Sequence, residues 1–84
     1  MSRLQLVAYR DLRRVVEAAG FRWVRCRGSH NTFAHADGRR LVLPDHGAQV
    51  IVRPLLRKIL RDAGLTPEAY AQILAGDPPA EGGG

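Results

Sequence analysis

Apolar residues recur at helical spacing near the start of the chain. Leu12, Val15, Val16 and Ala19 follow the i, i+3, i+4, i+7 rule of one buried stripe. Arg10, Arg13, Arg14 and Glu17 fill the other side, and Gly20 supplies a left-handed stop. The period then changes. Phe21 to Arg27 is rich in aromatic and β-favouring residues and predicts a first strand. Its faces stay ambiguous: Phe21 and Trp23 point one way, Val24 and Cys26 the other. His30 to His35 and Arg39 to Leu43 flank Ala36-Asp37-Gly38, a turn signal with glycine where a positive φ is needed, and predict a hairpin. Pro44 ends the third strand, and Asp45-His46-Gly47 reads as a loop. A second helical stripe, Leu56, Ile59, Leu60 and Ala63, starts near Pro54 and stops at Gly64. Thr66-Pro67-Glu68 then begins a short third helix through Tyr70, Ile73 and Leu74, with Thr66 as N-cap.

Burial selects the hairpin register. A two-residue loop at Asp37-Gly38 sets Phe33 opposite Val42 and strands Leu41 and Leu43 on the other face. A three-residue loop ending in a glycine bulge sets Phe33 opposite Leu41, on the same face as Leu43, and gathers the large apolar groups. In that register His30, Thr32, Ala34, Arg40 and Val42 share the opposite face, and Pro44 falls opposite His30, which draws His46 towards it. The expected fold is α+β: a helix, three antiparallel strands and a helix, with a short extra C-terminal helix. Two helices on one sheet face leave the other open to a ligand.

Length and charge narrow the class. The 84 residues allow one domain, expected over residues 1–75, with 76–84 a polar, glycine-rich tail that cannot bury surface and should be mobile. Met1 to Leu6 simply lead into the first helix. No apolar run approaches the roughly 20 residues of a membrane span, and the first residues lack the long apolar stretch of a secretory signal, so no membrane partner is expected. The single cysteine, Cys26, excludes an internal disulfide and a cysteine-based zinc site, and is most simply a small buried hydrophobe. A reducing, cytoplasmic setting is the default. Thirteen Lys and Arg against eight Asp and Glu give a net charge of +5, and every basic residue but Lys58 is arginine. A GC-rich genome also writes arginine for lysine, so the arginine bias is compositional, while the net charge favours a polyanion partner.

The candidate chemistry centres on Gly28-Ser29-His30, among Arg22, Arg25, Arg27, Arg39 and Arg40. An imidazole can accept a proton from a ribose 2′-hydroxyl or donate one to a leaving 5′-oxygen, with guanidinium groups holding the phosphate. Gly28 permits close backbone approach, and Ser29 or backbone amides could bind a phosphate oxygen. The plainer alternative is a turn with a histidine capping a strand, and residue chemistry alone favours it. A metal at His30, Asp45 and His46 and a triad of Ser29, His30 and Asp45 are both weak signals, and no metal is expected. His30 and His35 differ by an odd number and so leave opposite faces of a strand. Trp23 suits the core or its edge better than base stacking, and Arg53, Arg57, Lys58 and Arg61 give the second helix a basic outer surface.

Several of these segments match a known family in order and spacing. Ala19-Gly20-Phe21, Arg25-Cys26-Arg27-Gly28-Ser29-His30, Phe33, Asp37-Gly38-Arg39-Arg40, Pro44-Asp45-His46 and Leu55 through Leu65 together resemble the HicA family, over roughly residues 8 to 74. Its members are small mRNA-cleaving toxins of bacterial and archaeal type II toxin–antitoxin systems. The resemblance implies a double-stranded-RNA-binding-domain-like α-β-β-β-α fold, cleavage of mRNA without a metal or other cofactor, and neutralisation by a HicB-type antitoxin. The protein is then expected as a monomer or in a toxin–antitoxin hetero-oligomer. The family's catalytic histidine falls on His30. Arg25, Arg27, Gly28, Ser29, Arg40 and His46 are the candidate RNA-binding residues, His46 also being a candidate second proton-handling group. Val50-Ile51-Val52-Arg53-Pro54 departs from the family, standing where many members have a polar stretch ending in glycine. The alternative function is a non-catalytic RNA-binding module of the same fold; a third is a pure protein-interaction domain.

Overall fold

The computed structural model describes residues 4–76. Six elements follow in order: α1 (Tyr9–Ala18), β1 (Phe21–Arg27), β2 (His30–His35), β3 (Arg40–Pro44), α2 (Arg53–Ala63) and α3 (Pro67–Leu74). The three strands form an antiparallel sheet in the order β1-β2-β3. This is the α-β-β-β-α arrangement, with the short extra helix, expected from the sequence. Of the expected tail only Gly76 is described, and 77–84 lie outside the described residues.

The helical stripes account for the core. Leu12, Val15 and Val16 of α1 and Leu56, Ile59, Leu60 and Ala63 of α2 are buried against Phe21, Phe33, Leu41 and Leu43 of the sheet. Ala19, expected in the first stripe, caps α1 and is only partly buried. Tyr70 and Ile73 bring α3 onto the same core, and Thr66 caps it through its hydroxyl, which accepts from the Ala69 N–H at 3.1 Å. The segment ahead of α1 does more than lead in. Leu4 and Val7 are buried, and the Ile51 N–H donates to the Val7 carbonyl at 2.8 Å, tying the start of the chain to the approach to α2.

Hairpin β2–β3 takes the three-residue loop. Phe33 pairs with Leu41 and His30 with Pro44, while the Gly38 N–H donates to the His35 carbonyl and the His35 N–H to the Arg39 carbonyl. Gly38 closes this turn at φ 99°, a left-handed value that a side chain would strain. The ambiguity in β1 resolves through a β-bulge between Trp23 and Arg25. Arg22 pairs with Ala34 and Trp23 with Phe33, but Arg25 pairs with Thr32, so Val24 is an extra residue. Beyond the bulge Arg25 and Arg27 share the face of Thr32 and His30, and Cys26 shares that of Asn31. Cys26 is nevertheless exposed rather than a buried hydrophobe: it lies near the end of the edge strand, and its thiol reaches the Gly28 carbonyl at 3.1 Å. Trp23 sits at the core edge, 46% exposed, with its indole N–H donated to Asn31 Oδ1 at 2.9 Å.

Candidate nucleic-acid interface and reaction site

Register brings the candidate groups together before any side-chain contact is considered. Paired residues share a face, so Arg22, Arg25, Arg27, His30, Thr32, Arg40 and Val42 all project from the sheet side opposite the buried Phe33 and Leu43. The bulge is the device that matters. Strict alternation after Arg22 would have sent Val24 and Cys26 to this face and Arg25 and Arg27 to the other. The result is an exposed imidazole on a surface of four guanidinium groups.

His30 owes its position to the turn before it. Gly28 and Ser29 span the gap between the paired Arg27 and His30, and Gly28 takes φ 61° with open space where a Cβ would project. A left-handed first position is where two-residue hairpin turns use glycine. Two bonds hold the turn. The Ser29 carbonyl accepts from the Asp45 N–H at 2.7 Å and from the Asn31 side-chain amide at 3.4 Å. Asn31 is buried, which sequence reasoning missed, since nothing in the local pattern marks an asparagine that bridges Ser29 and Trp23.

The bond from Asp45 carries the β3–α2 loop up to this turn. A cleft of about 480 Å³ opens there between the end of β3 and α2. Its polar lining is His30, His46, Gln49 and Lys58, and its apolar lining includes Val42, Val50, Val52 and Leu55. His30 and His46 thus line one cleft. Gln49 and Lys58 were not anticipated there, because they come from a loop and a helix whose placement depends on how α2 docks against β3. Lys58 also donates to Asp62 at 2.8 Å.

Other expectations separate from the site. Arg39 does not join the cationic face. Its guanidinium donates to Asp37 Oδ2 at 2.8 Å and to the Ala63 carbonyl, and lies 5.2 Å from the Phe21 ring centroid, so it clips the hairpin to the end of α2. The Arg39 N–H and side chain together hold the Asp37 carboxyl below the ordinary carboxylate range. His35 leaves the opposite face from His30, with its ring edge-on to Phe21 at 5.2 Å. The Asp45 carboxylate accepts from the Gly47 N–H at 3.0 Å, which shapes its own loop. Among the described residues no three His, Cys, Asp or Glu side chains are grouped to hold a metal ion. A larger groove of about 650 Å³ on another side of α2 collects Arg53, Arg57 and Arg61 and shares no lining residue with the His30 cleft. No helix among the described residues is long and apolar enough to cross a membrane.

A direct comparison with curated proteins gives no match. A family model does match: the one described as the HicA toxin of bacterial toxin–antitoxin systems covers residues 9–65, from the first residue of α1 to just past the end of α2. That span takes in every strand, the Gly28-Ser29-His30 turn and the cleft. The chain belongs to the HicA toxin family, the toxin half of a toxin–antitoxin pair, and its partner is an antitoxin.

Proposed function

We propose that this toxin is a metal-independent endoribonuclease that cleaves mRNA with His30 as general acid or base, and that a HicB-type antitoxin neutralises it. The observation carrying this reading is the shared face of His30 with Arg25, Arg27 and Arg40, produced by the β1 bulge and the hairpin register. Cleavage of a phosphodiester needs a proton moved and negative charge offset as the transition state forms. An exposed imidazole supplies the first, either by taking the 2′-hydroxyl proton as that oxygen attacks phosphorus or by giving one to the departing 5′-oxygen. The arginines supply the second by forking onto the phosphate oxygens. Gly28 leaves room for the phosphate to approach the turn, and Ser29, the next residue, carries a hydroxyl able to bind a phosphate oxygen. His46, lining the same cleft as His30, is the second group able to handle a proton or hold a phosphate. The compartment is the cytoplasm, where mRNA is found.

The test is cleavage of a defined mRNA by purified, antitoxin-free protein in EDTA. The wild type should cleave, and His30→Ala should lose about 10²–10⁴-fold in rate. Undiminished cleavage by His30→Ala removes His30 from the reaction. Loss of wild-type activity in EDTA removes the metal-independent route, and RNA bound but left intact by the wild type favours the non-catalytic RNA-binding module.

A further inference from the structure

The cleft beside His30 carries apolar surface that phosphate chemistry does not use. Val42, Val50 and Val52 are 44%, 48% and 59% exposed, large values for aliphatic side chains, and all three line this one cleft together with Leu55. We infer that the cleft is a nucleobase subsite, receiving the unstacked base next to the phosphate held at His30, and that Gln49 reads its edge. The inference rests on the ribonuclease reading and names the part of that site that gives it sequence preference.

Three features select this occupant. The cleft's volume of about 480 Å³ lies within the range of about 300–1,000 Å³ typical of small-ligand sites, and its lining has their usual make-up of apolar side chains with a few polar groups. Its charge complements a polyanion: the ionisable groups in the lining are His30, His46 and Lys58, with no carboxylate among them. It is also continuous with the proposed reaction centre, since His30 belongs both to the cleft and to the arginine face. An RNA chain laid along that face with a phosphate at His30 has its neighbouring nucleotide at the mouth of the cleft. A flat base can leave water for the valine surface there, while its ribose and phosphates stay with the cations. Gln49 then has a task. Its side-chain amide has no hydrogen-bond partner among the described residues, and it offers a donor and an acceptor side by side, the pair that a base edge accepts. Single-stranded RNA is commonly read in this way, base by base, on edges exposed by unstacking.

The test uses 2′-O-methyl hexanucleotides of A, C, G and U, which cannot be cleaved, with affinities measured by fluorescence anisotropy at one salt concentration. The wild type should bind one of the four at least about tenfold more tightly than the weakest. Gln49→Ala should bring the four within roughly threefold of one another. Val52→Asp should do the same by placing a carboxylate in the cleft, and because residue 52 is the N-cap of α2, where aspartate is favoured, that variant keeps the fold. Equal affinities in the wild type, or a ranking that both variants preserve, overturns the subsite. So do amide shifts at Val42, Val50 and Val52 that grow with protein concentration in the absence of RNA, which would assign the cleft to a second copy. Cleavage of unmodified RNA is scored separately. Base-selective binding without cleavage defeats only the ribonuclease reading, and cleavage with base-blind binding defeats only the subsite.

Discussion

At the scale of single residues, two glycines with the same backbone angle separate two physical costs. Gly20 and Gly38 both sit at φ 99°, where an L side chain is strained. A Cβ on Gly38 meets open space, whereas one on Gly20 falls 2.8 Å from His35 Nε2. That imidazole cannot easily swing aside, because its Nδ1 accepts from the Asp37 N–H at 3.1 Å and its ring packs edge-on to Phe21. Gly38→Ala should therefore cost about 1–2 kcal/mol from backbone strain. For a domain of this size each kcal/mol lowers the unfolding midpoint by about 4–8 °C. Gly20→Ala should cost clearly more, and adding His35→Ala should recover the excess. Thermal unfolding of the three variants checks it; equal losses for the two glycines would mean that the His35 contact carries no energy. The same contrast explains why His35, on the opposite face of the strand from His30, is a packing residue.

At the scale of elements, Tyr70 ties α3 to the chain's start. Tyr70 is buried and its hydroxyl donates to the Gln5 carbonyl, which burial reinforces by pushing the phenol up to about 12 from its ordinary value of 10. Folding thus favours the protonated form. That stabilisation is complete below pH 10 and is lost as pH rises from about 10 through about 12. Tyr70→Phe should give up the hydrogen bond, about 1 kcal/mol, and should flatten the fall in stability across that alkaline window. A wild type and variant that decline in parallel there would remove Tyr70 as the cause. Elements of this kind differ in how far the sequence discloses them. The β2–β3 hairpin was legible because turn chemistry at Gly38 and burial of Phe33, Leu41 and Leu43 demand the same register. Thr66 and Tyr70 were legible for α3 because capping and periodicity are local. The β1 bulge was not, since it reconciles a pattern ending in Val24-Arg25-Cys26 with a partner strand and no single residue announces it. That is why Arg25 and Arg27 could not be assigned a face from β1 alone, whereas Arg39 left the cationic face through contacts with the end of α2 that only tertiary packing makes. His30 could be singled out from its turn and its neighbours, but Gln49 and Lys58 meet it only through the docking of α2 against β3, which no local spacing encodes.

At the scale of the whole molecule, a net charge of +5 matters through its distribution. Arg22, Arg25, Arg27 and Arg40 share the open face, none of them in an ion pair among the described residues, while Arg13, Arg14 and Arg39 are engaged with Glu17, Asp11 and Asp37. Charge already paired within the protein contributes little to counterion release from RNA, so the unpaired face should set the salt dependence. Four phosphate contacts give a slope of about −2.8 in log affinity against log salt for single-stranded RNA, which is about a fiftyfold loss between 50 and 200 mM. Adjacent arginines then make the decisive comparison. Arg40 projects from the open face, and Arg40→Ala should reduce the slope to about −2.1 without lowering the unfolding midpoint. Arg39 holds Asp37, the Ala63 carbonyl and the Phe21 ring, so Arg39→Ala should lower the midpoint and leave the slope of the folded protein unchanged. Both measurements use non-cleavable RNA and so stand apart from catalysis. If the two variants change the slope equally, RNA does not distinguish the faces of the sheet, and the electrostatic footprint belongs to the molecule at large rather than to the surface that carries His30.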